Sequence, residues 1–252
     1  MNTNLTEIVF ILDRSGSMMS LTDDTIGGFN AFIEKQKNEP GDALLTTILF
    51  DDQYEILHNG MNLKEVQPMT KDQYWARGMT AMYDAIGKTI NEVGHRLSDI
   101  PEQYRPGKVI FVITTDGMEN ASREFTQAKV KEMIQHQTEK YSWEFIFLGA
   151  NIDSVQQAKN IGISADFAAD YCASVHGIDS MYCAVDAAVS SLRSTGTISA
   201  CWADGLTSNS DVDALQSAKS YTDLADCSIS NCKIDALVSS VDHCCTKINS
   251  VN

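Results

Sequence analysis

The chain has 252 residues, a hydrophobic content of 43% and a net charge of −15 at neutral pH. This length and this hydrophobic content are sufficient for one domain with a large buried core. The negative charge disfavours binding to nucleic acids and to anionic membrane surfaces, because their phosphates would repel it. No apolar run approaches the roughly 20 residues of a membrane-spanning helix, and the first seven residues carry no basic side chain. We therefore expect no signal peptide and a cytoplasmic protein.

The first predicted element is a buried strand that ends in a carboxylate. Residues 8–12 are all apolar, which is typical of a strand covered on both faces in a parallel sheet. Asp13 follows, and the next loop carries Ser15, Gly16 and Ser17. Carboxylate and hydroxyl oxygens are hard ligands that suit Mg²⁺, Mn²⁺ or Ca²⁺ better than zinc. Because open α/β sheets bind ligands at the carboxyl ends of their strands, this loop is a candidate metal site.

Strands and helices then alternate along the chain. The elements predicted after the first loop are helix 22–38, strands 43–50 and 53–57, a helix from residue 80, strand 108–115, helix 123–140, strand 143–148, a short helix after residue 151, strand 165–169 and helix 178–194. The strand at 53–57 returns antiparallel after a tight turn, whereas helices separate the other strands. This pattern predicts an α/β fold with a doubly wound, mostly parallel sheet.

Three segments together resemble the metal-ion-dependent adhesion site of von Willebrand factor A (vWA) domains. The first is the pattern Asp-x-Ser-Gly-Ser at residues 13–17, the second begins at Gly78, and the third closes the strand that starts at Val109. The resemblance implies a six-stranded sheet in the order 3-2-1-4-5-6, with one antiparallel edge strand and helices on both faces. It also implies five metal-site residues: Asp13, Ser15, Ser17, Thr80 and Asp116.

The same resemblance implies a function in binding proteins. Ser15, Ser17 and Thr80 would reach Mg²⁺, or Mn²⁺ or Ca²⁺, while Asp13 and Asp116 would hold bound waters and orient the hydroxyls. Neutral hydroxyls leave the charge of the cation poorly compensated, so an Asp or Glu carboxylate of a partner protein would complete the coordination. The resemblance therefore implies a cation-dependent protein-binding module of bacterial or phage type, without enzymatic activity. The sequence identifies neither the partner nor the oligomeric state.

A metal-dependent phosphoester hydrolase is the alternative function. Asp13 would then act as the nucleophile, or the metal would activate a water molecule. The sequence disfavours this alternative, because Ser15 stands where a second carboxylate would be needed. In addition, none of the three loops contains a histidine that could transfer protons. Arg14 could contact a phosphate, but we expect it to be exposed and to contact solvent or a partner.

Several other residues near the three loops allow two interpretations. Five of the ten methionines lie in or beside the loops and either form an apolar rim around the ion or fill space beneath it: Met18, Met19, Met79, Met82 and Met118. Met82 is expected to be buried. Asp51 and Asp52 either form a turn, which the sequence favours, or an outer acidic shell for the ion. Asp84 is expected to cap or pair locally.

The composition changes towards the C-terminus, where Ser, Asp and Cys become frequent. We predict a vWA domain at residues 1–196 and a partly helical extension at residues 197–252. All seven cysteines lie after residue 171, and five residues of the extension have donor atoms for zinc: Cys227, Cys232, His243, Cys244 and Cys245. Their spacing is not that of a standard zinc knuckle, and buried cysteines also act as small apolar side chains. A zinc-binding tail is therefore a further alternative.

Overall fold

The computed structural model of the protein describes residues 1–206, which are built around a six-stranded sheet. The strands are β1 (Asn2–Asp13), β2 (Asp42–Phe50), β3 (Tyr54–Asn62), β4 (Pro106–Thr115), β5 (Glu144–Gly149) and β6 (Ala168–Asp170). Their order is β3-β2-β1-β4-β5-β6. Only the pairing of β2 with β3 is antiparallel. The predicted fold class, strand order and antiparallel edge are confirmed.

Helices cover both faces of the sheet, which explains why β1 lacks an alternating pattern. The helices are α1 (Thr22–Asn38), α2 (Met82–Asp99), α3 (Gln127–Tyr141), α4 (Ser154–Asn160) and α5 (Val175–Thr195). Side chains of β1 such as Phe10 belong to the hydrophobic core that contains α1 and α5. Ile11 and its neighbours on the other face belong to the core that contains α2 and α3. Both faces of β1 are therefore buried, as the unbroken apolar run predicts.

Some element boundaries differ from the predicted ones. β3 continues to Asn62, because its pairing with β2 runs as far as Leu44. α2 begins at Met82, which leaves Thr80 in the preceding loop. β6 begins only at Ala168, after a single 3₁₀ turn. Tertiary pairing decides these ends, and local sequence preferences do not reveal it.

The predicted helix 123–140 also starts later, at Gln127. The backbone N–H groups of residues 123, 124 and 125 donate to the carboxylate of Asp84 on α2, at 2.9, 2.9 and 2.7 Å. These bonds hold the segment before α3 in a loop, and Thr126 caps the helix that follows by accepting from the N–H of Lys129. The expectation that Asp84 pairs locally is therefore wrong, because the partners of its carboxylate lie 39 to 41 residues further along the chain.

The last described residues follow α5, which ends at a left-handed Gly196 with φ +85°. Trp202 in this segment is buried, and its indole N–H donates to the carbonyl of Asp166 at 2.8 Å. The division at residue 196 stays a prediction. The proposed zinc ligands of the tail lie outside the described residues: Cys227, Cys232, His243, Cys244 and Cys245. Within residues 1–206, no helix is both long enough and apolar enough to cross a bilayer.

The contact between α1 and α5 depends on a glycine, which leads to a first prediction. A Cβ atom on Gly28 would overlap the aromatic ring of Tyr182 on α5, whereas a Cβ on Gly27 would meet nothing within 4 Å. We expect Gly28→Ala to lower the free energy of unfolding by about 1–3 kcal/mol through overpacking. Gly27→Ala is the matched control and should raise it by up to about 1 kcal/mol, because alanine favours helix. Urea denaturation measures both, and equal effects would contradict the prediction.

Candidate metal site

The five predicted site residues come together at the carboxyl ends of the two central strands. Asp13 is the last residue of β1, and Asp116 directly follows the last residue of β4. β1 and β4 are parallel neighbours, with Leu12 opposite Thr114, so both loops leave the sheet at the same edge. Thr80 reaches this edge from the loop before α2. The topology therefore explains why residues that are about 100 positions apart meet in one place.

The hydroxyl oxygens have a spacing that suits one cation. Ser15 Oγ lies 3.2 Å from Ser17 Oγ, which in turn donates to Asp116 Oδ1 at 2.6 Å. A Cβ atom built on Gly117 would lie 3.8 Å from Thr80 Oγ1 and 3.9 Å from Ser17 Oγ, so both hydroxyls lie beside Gly117 of the third loop. Neighbouring ligands of octahedral Mg²⁺ lie about 2.9 Å apart, and those of Ca²⁺ lie further apart. The spacing of the two serines therefore fits adjacent positions on either ion.

The two carboxylates of the site are buried without a cationic partner in the described part of the chain. Asp13 is 1% exposed and accepts hydrogen bonds from Ser15 N and Thr115 Oγ1, both at 2.7 Å. Burial raises the pKa of Asp13 to about 6, although these hydrogen bonds oppose the shift. Burial also raises the pKa of Asp116. Within residues 1–206, no basic side chain forms an ion pair with either carboxylate. A bound cation would supply the missing positive charge.

The donor set fits a hard cation rather than a soft one. No group of three or more His, Cys, Asp or Glu side chains among the described residues could hold a metal ion by itself. Any ion in these loops must therefore rely on the hydroxyls of Ser15, Ser17 and Thr80 as well as on carboxylates or waters. Oxygen donors of this kind suit Mg²⁺, Mn²⁺ or Ca²⁺. Ser15 and Thr80 are buried, whereas Ser17 is exposed, so the site opens to solvent on one side.

Arg14 lies inside the protein, so the expectation that it is exposed is wrong. Its side chain is fully buried and donates from Nε to Asp51 at 3.1 Å and from Nη1 to Glu55 at 2.7 Å. The physical reason is that Arg14 turns away from Asp13 and Ser15 towards the β2–β3 hairpin, where a buried carboxylate needs a counter-charge. This ion pair could not be recognised from the sequence, because its partners are 37 and 41 residues away.

Asp51 connects the first two metal loops through the hairpin turn. Its carboxylate accepts from Gln53 N at 2.6 Å, which confirms the turn interpretation, and it also pairs with Arg77 Nε at 2.8 Å. Its carbonyl accepts from Ala81 N at 2.9 Å, next to Thr80. The charge of Asp51 is therefore neutralised by two arginines. Its contacts hold the hairpin turn and the second loop together, and they disfavour a role as an additional negative charge near an ion.

The second and third loops are joined by an asparagine that sequence reasoning did not identify. Asn120 Oδ1 accepts from Thr80 N at 2.9 Å, and Asn120 N donates to Thr80 O at 3.0 Å. Glu119 accepts from the backbone N–H groups of Tyr83, Ala121 and Ser122. The only signal in the sequence is the polar pair 119–120 after the Asp-Gly turn. These contacts fix the backbone position of Thr80 from both sides.

Comparison with known proteins supports the fold. No protein-family model and no curated protein matches the chain. Proximal thread matrix protein 1 from the mussel byssus aligns with a TM-score of 0.50 and 13% identity, over 71% of this chain and 44% of the mussel chain. The present chain thus spans less than half of that protein. At this identity the likeness shows the fold alone.

Two other solved structures align at lower scores. A von Willebrand factor type A protein from Catenulispora acidiphila has a TM-score of 0.48 and 14% identity, covering 73% of this chain and 42% of its own. Manganese-loaded TRAP protein from Plasmodium vivax has a TM-score of 0.49 and 16% identity, covering 72% of this chain and 73% of its own.

The role of Asp51 leads to a second prediction. We expect Asp51→Asn to lower the free energy of unfolding by about 3 kcal/mol, because the buried guanidinium of Arg14 would lose one of its two carboxylate partners. Asp52→Asn is the matched control: Asp52 is exposed, and its substitution should change stability by less than about 0.5 kcal/mol. Chemical denaturation of both variants measures the difference. A loss in Asp51→Asn no larger than in the control would contradict the structural role.

Proposed function

We propose that this protein is a divalent-cation-dependent protein-binding module, with Mg²⁺ as the expected ion and Mn²⁺ or Ca²⁺ as alternatives. One observation carries the proposal: two buried carboxylates and three hydroxyls from separate loops converge, and no basic side chain of the described residues pairs with the carboxylates. Such a group is costly to bury unless a cation neutralises it. The vWA-type fold, in which the site lies at the carboxyl edge of the sheet, supports the same conclusion.

The residues of the site divide into hydroxyls that face the ion and carboxylates that orient them. Ser15, Ser17 and Thr80 would hold the cation. Asp116 already fixes the hydroxyl of Ser17, and Asp13 fixes the backbone of Ser15. The bound ion would supply an electrophilic position for an anionic oxygen from outside. Because the inner ligands are neutral, much of the positive charge would remain available to that oxygen.

An Asp or Glu side chain of a partner protein is the ligand that matches this position. The exposure of Ser17 leaves the site open to a side chain from another molecule. The net charge of −15 disfavours ligands that carry many negative charges, such as nucleic acids. A single carboxylate on an otherwise neutral surface avoids this repulsion. We therefore propose a protein partner and no enzymatic activity, while the predicted cytoplasmic location and bacterial or phage origin stay predictions.

The geometry gives little support to the alternative phosphoester hydrolase. Both carboxylate oxygens of Asp13 accept hydrogen bonds within the protein, and the residue is 1% exposed, which disfavours a role as nucleophile. Beside the second loop lies a cleft of about 280 Å³ that is lined by Met79, Ala81 and charged side chains but by no histidine of the described residues. Arg14, the candidate phosphate ligand, is committed to Asp51 and Glu55. Among the described residues, this cleft therefore offers no histidine as a general acid or base.

A titration with metal ions tests the site. We expect the protein to bind Mg²⁺ or Mn²⁺, and Thr80→Ala to weaken binding at least tenfold because one inner ligand is lost. Thr3→Ala is the matched control, since Thr3 is exposed in the half of β1 remote from Asp13, and it should leave the affinity unchanged. Isothermal titration calorimetry measures both. Absence of binding to the wild-type protein at millimolar concentrations would refute the metal site.

A second experiment tests the protein partner. Affinity purification in Mg²⁺ should capture a protein that is lost in chelator and lost with Asp13→Ala or Thr80→Ala. In the purified complex, one Asp or Glu of that partner should be indispensable, because it would provide the missing ligand to the cation. The competing outcome is metal-dependent hydrolysis of p-nitrophenyl phosphate that disappears with Asp13→Ala, which would support the hydrolase instead.

A further inference from the structure

Three exposed methionines belong to the loops of the candidate metal site. The exposed fractions of Met19, Met79 and Met118 are 68%, 50% and 62%. The other two methionines near the loops, Met18 and Met82, are 3% and 1% exposed and fill space in the two cores. The structure therefore divides the five methionines that the sequence places near the site into a buried pair and an exposed trio.

Each of the exposed methionines lies within two residues of a different part of the site. Met19 follows Ser17 by two positions, Met79 directly precedes Thr80, and Met118 follows Asp116 by two positions. The loops themselves are bonded to one another at these points. Gly16 N donates to Gly78 O at 3.2 Å, and Ser17 Oγ donates to Asp116 Oδ1. We call Met19, Met79 and Met118 the methionine ring, because one comes from each of the three loops that hold the site.

The methionine ring has the properties of an adaptable contact surface. Exposed large apolar side chains on loops that are bonded to one another are candidates for an interaction surface. The thioether chain is unbranched and flexible, so it can pack against differently shaped partners. A protein that placed its carboxylate on the metal would approach the neighbouring residues of the same loops, which include these methionines. The methionine ring would then be buried in the complex.

We propose that the methionine ring binds apolar side chains that flank the metal-bound carboxylate of the partner. The partner is thus a protein segment in which one Glu or Asp stands among residues such as Leu, Ile or Phe, rather than in an acidic cluster. The net charge of −15 also favours a single carboxylate over an acidic cluster. The protein would repel an acidic cluster, whereas a single carboxylate would contact the cation. This inference rests on the proposed function and adds the chemical nature of the partner to it.

Two synthetic peptides of equal length and charge test the proposal. Each carries one Glu, flanked by Leu and Phe in the first peptide and by Ser and Gln in the second. We expect the full chain in Mg²⁺ to bind the apolar peptide at least tenfold more tightly, as measured by fluorescence polarisation. The triple variant Met19→Gln, Met79→Gln and Met118→Gln should lose this preference and keep its affinity for Mg²⁺. Met61→Gln on β3, at a methionine that is 39% exposed, is the control and should keep both.

The outcomes separate this inference from the proposed function. Equal Mg²⁺-dependent binding of both peptides would overturn the methionine ring but leave the cation-dependent module intact. A preference that persists in the triple variant or in chelator would overturn the inference as well, and so would failure of both peptides to bind. Mg²⁺-dependent self-association that the triple variant abolishes would identify a second copy of the chain as the occupant and also contradict it. The metal titration with Thr80→Ala tests the underlying site independently of all these results.

Discussion

The burial of the Asp13 carboxylate at the end of the central strand is the constraint on which the site depends. A carboxylate that is 1% exposed and has no basic partner in the described part of the chain is unfavourable in its charged form, which is why burial raises its pKa to about 6. Hydrogen bonds from Ser15 N and Thr115 Oγ1 offset only part of this cost. The hydroxyls of the neighbouring loops are oxygen ligands, so a cation bound there would supply the positive charge that the buried carboxylate lacks.

The basic residues close to the site are held away from it by other carboxylates. Arg14 directly follows Asp13 but pairs with Asp51 and Glu55, and Arg77 also pairs with Asp51. The opposite charges in these ion pairs neutralise one another. The pairs belong to the part of the structure that positions the loops. Asp13 is left as the unbalanced charge, together with the neighbouring Asp116. The charges of these ion pairs and the carboxylates of the candidate metal site thus form separate sets, although the two sets are adjacent in the sequence.

The surface around the site combines a polar centre with apolar surroundings. Hydroxyls that carry no charge would leave the proposed cation available to an external oxygen, and the exposed methionines of the three loops would offer contact area without additional charge. This combination is suited to a partner that brings one carboxylate on an apolar segment. It is less suited to phosphate esters, for which one would expect basic and proton-transferring side chains at the site.

The sequence by itself determined the elements that depend on local patterns. The unbroken apolar run of residues 8–12 indicated a strand buried on both faces, and the three polar loops, read together as a resemblance, indicated the strand order and the site residues. Tertiary structure alone decided the start of α3, the burial of Arg14 and which methionines are exposed. The physical reason is that each of these depends on partners far away in the chain. The carboxylate of Asp84 holds residues 123–125 out of α3. The buried side chain of Arg14 pairs with Asp51, which lies 37 residues away in the sequence. Such long-range pairings leave no periodic trace in the sequence, whereas the burial of a strand does.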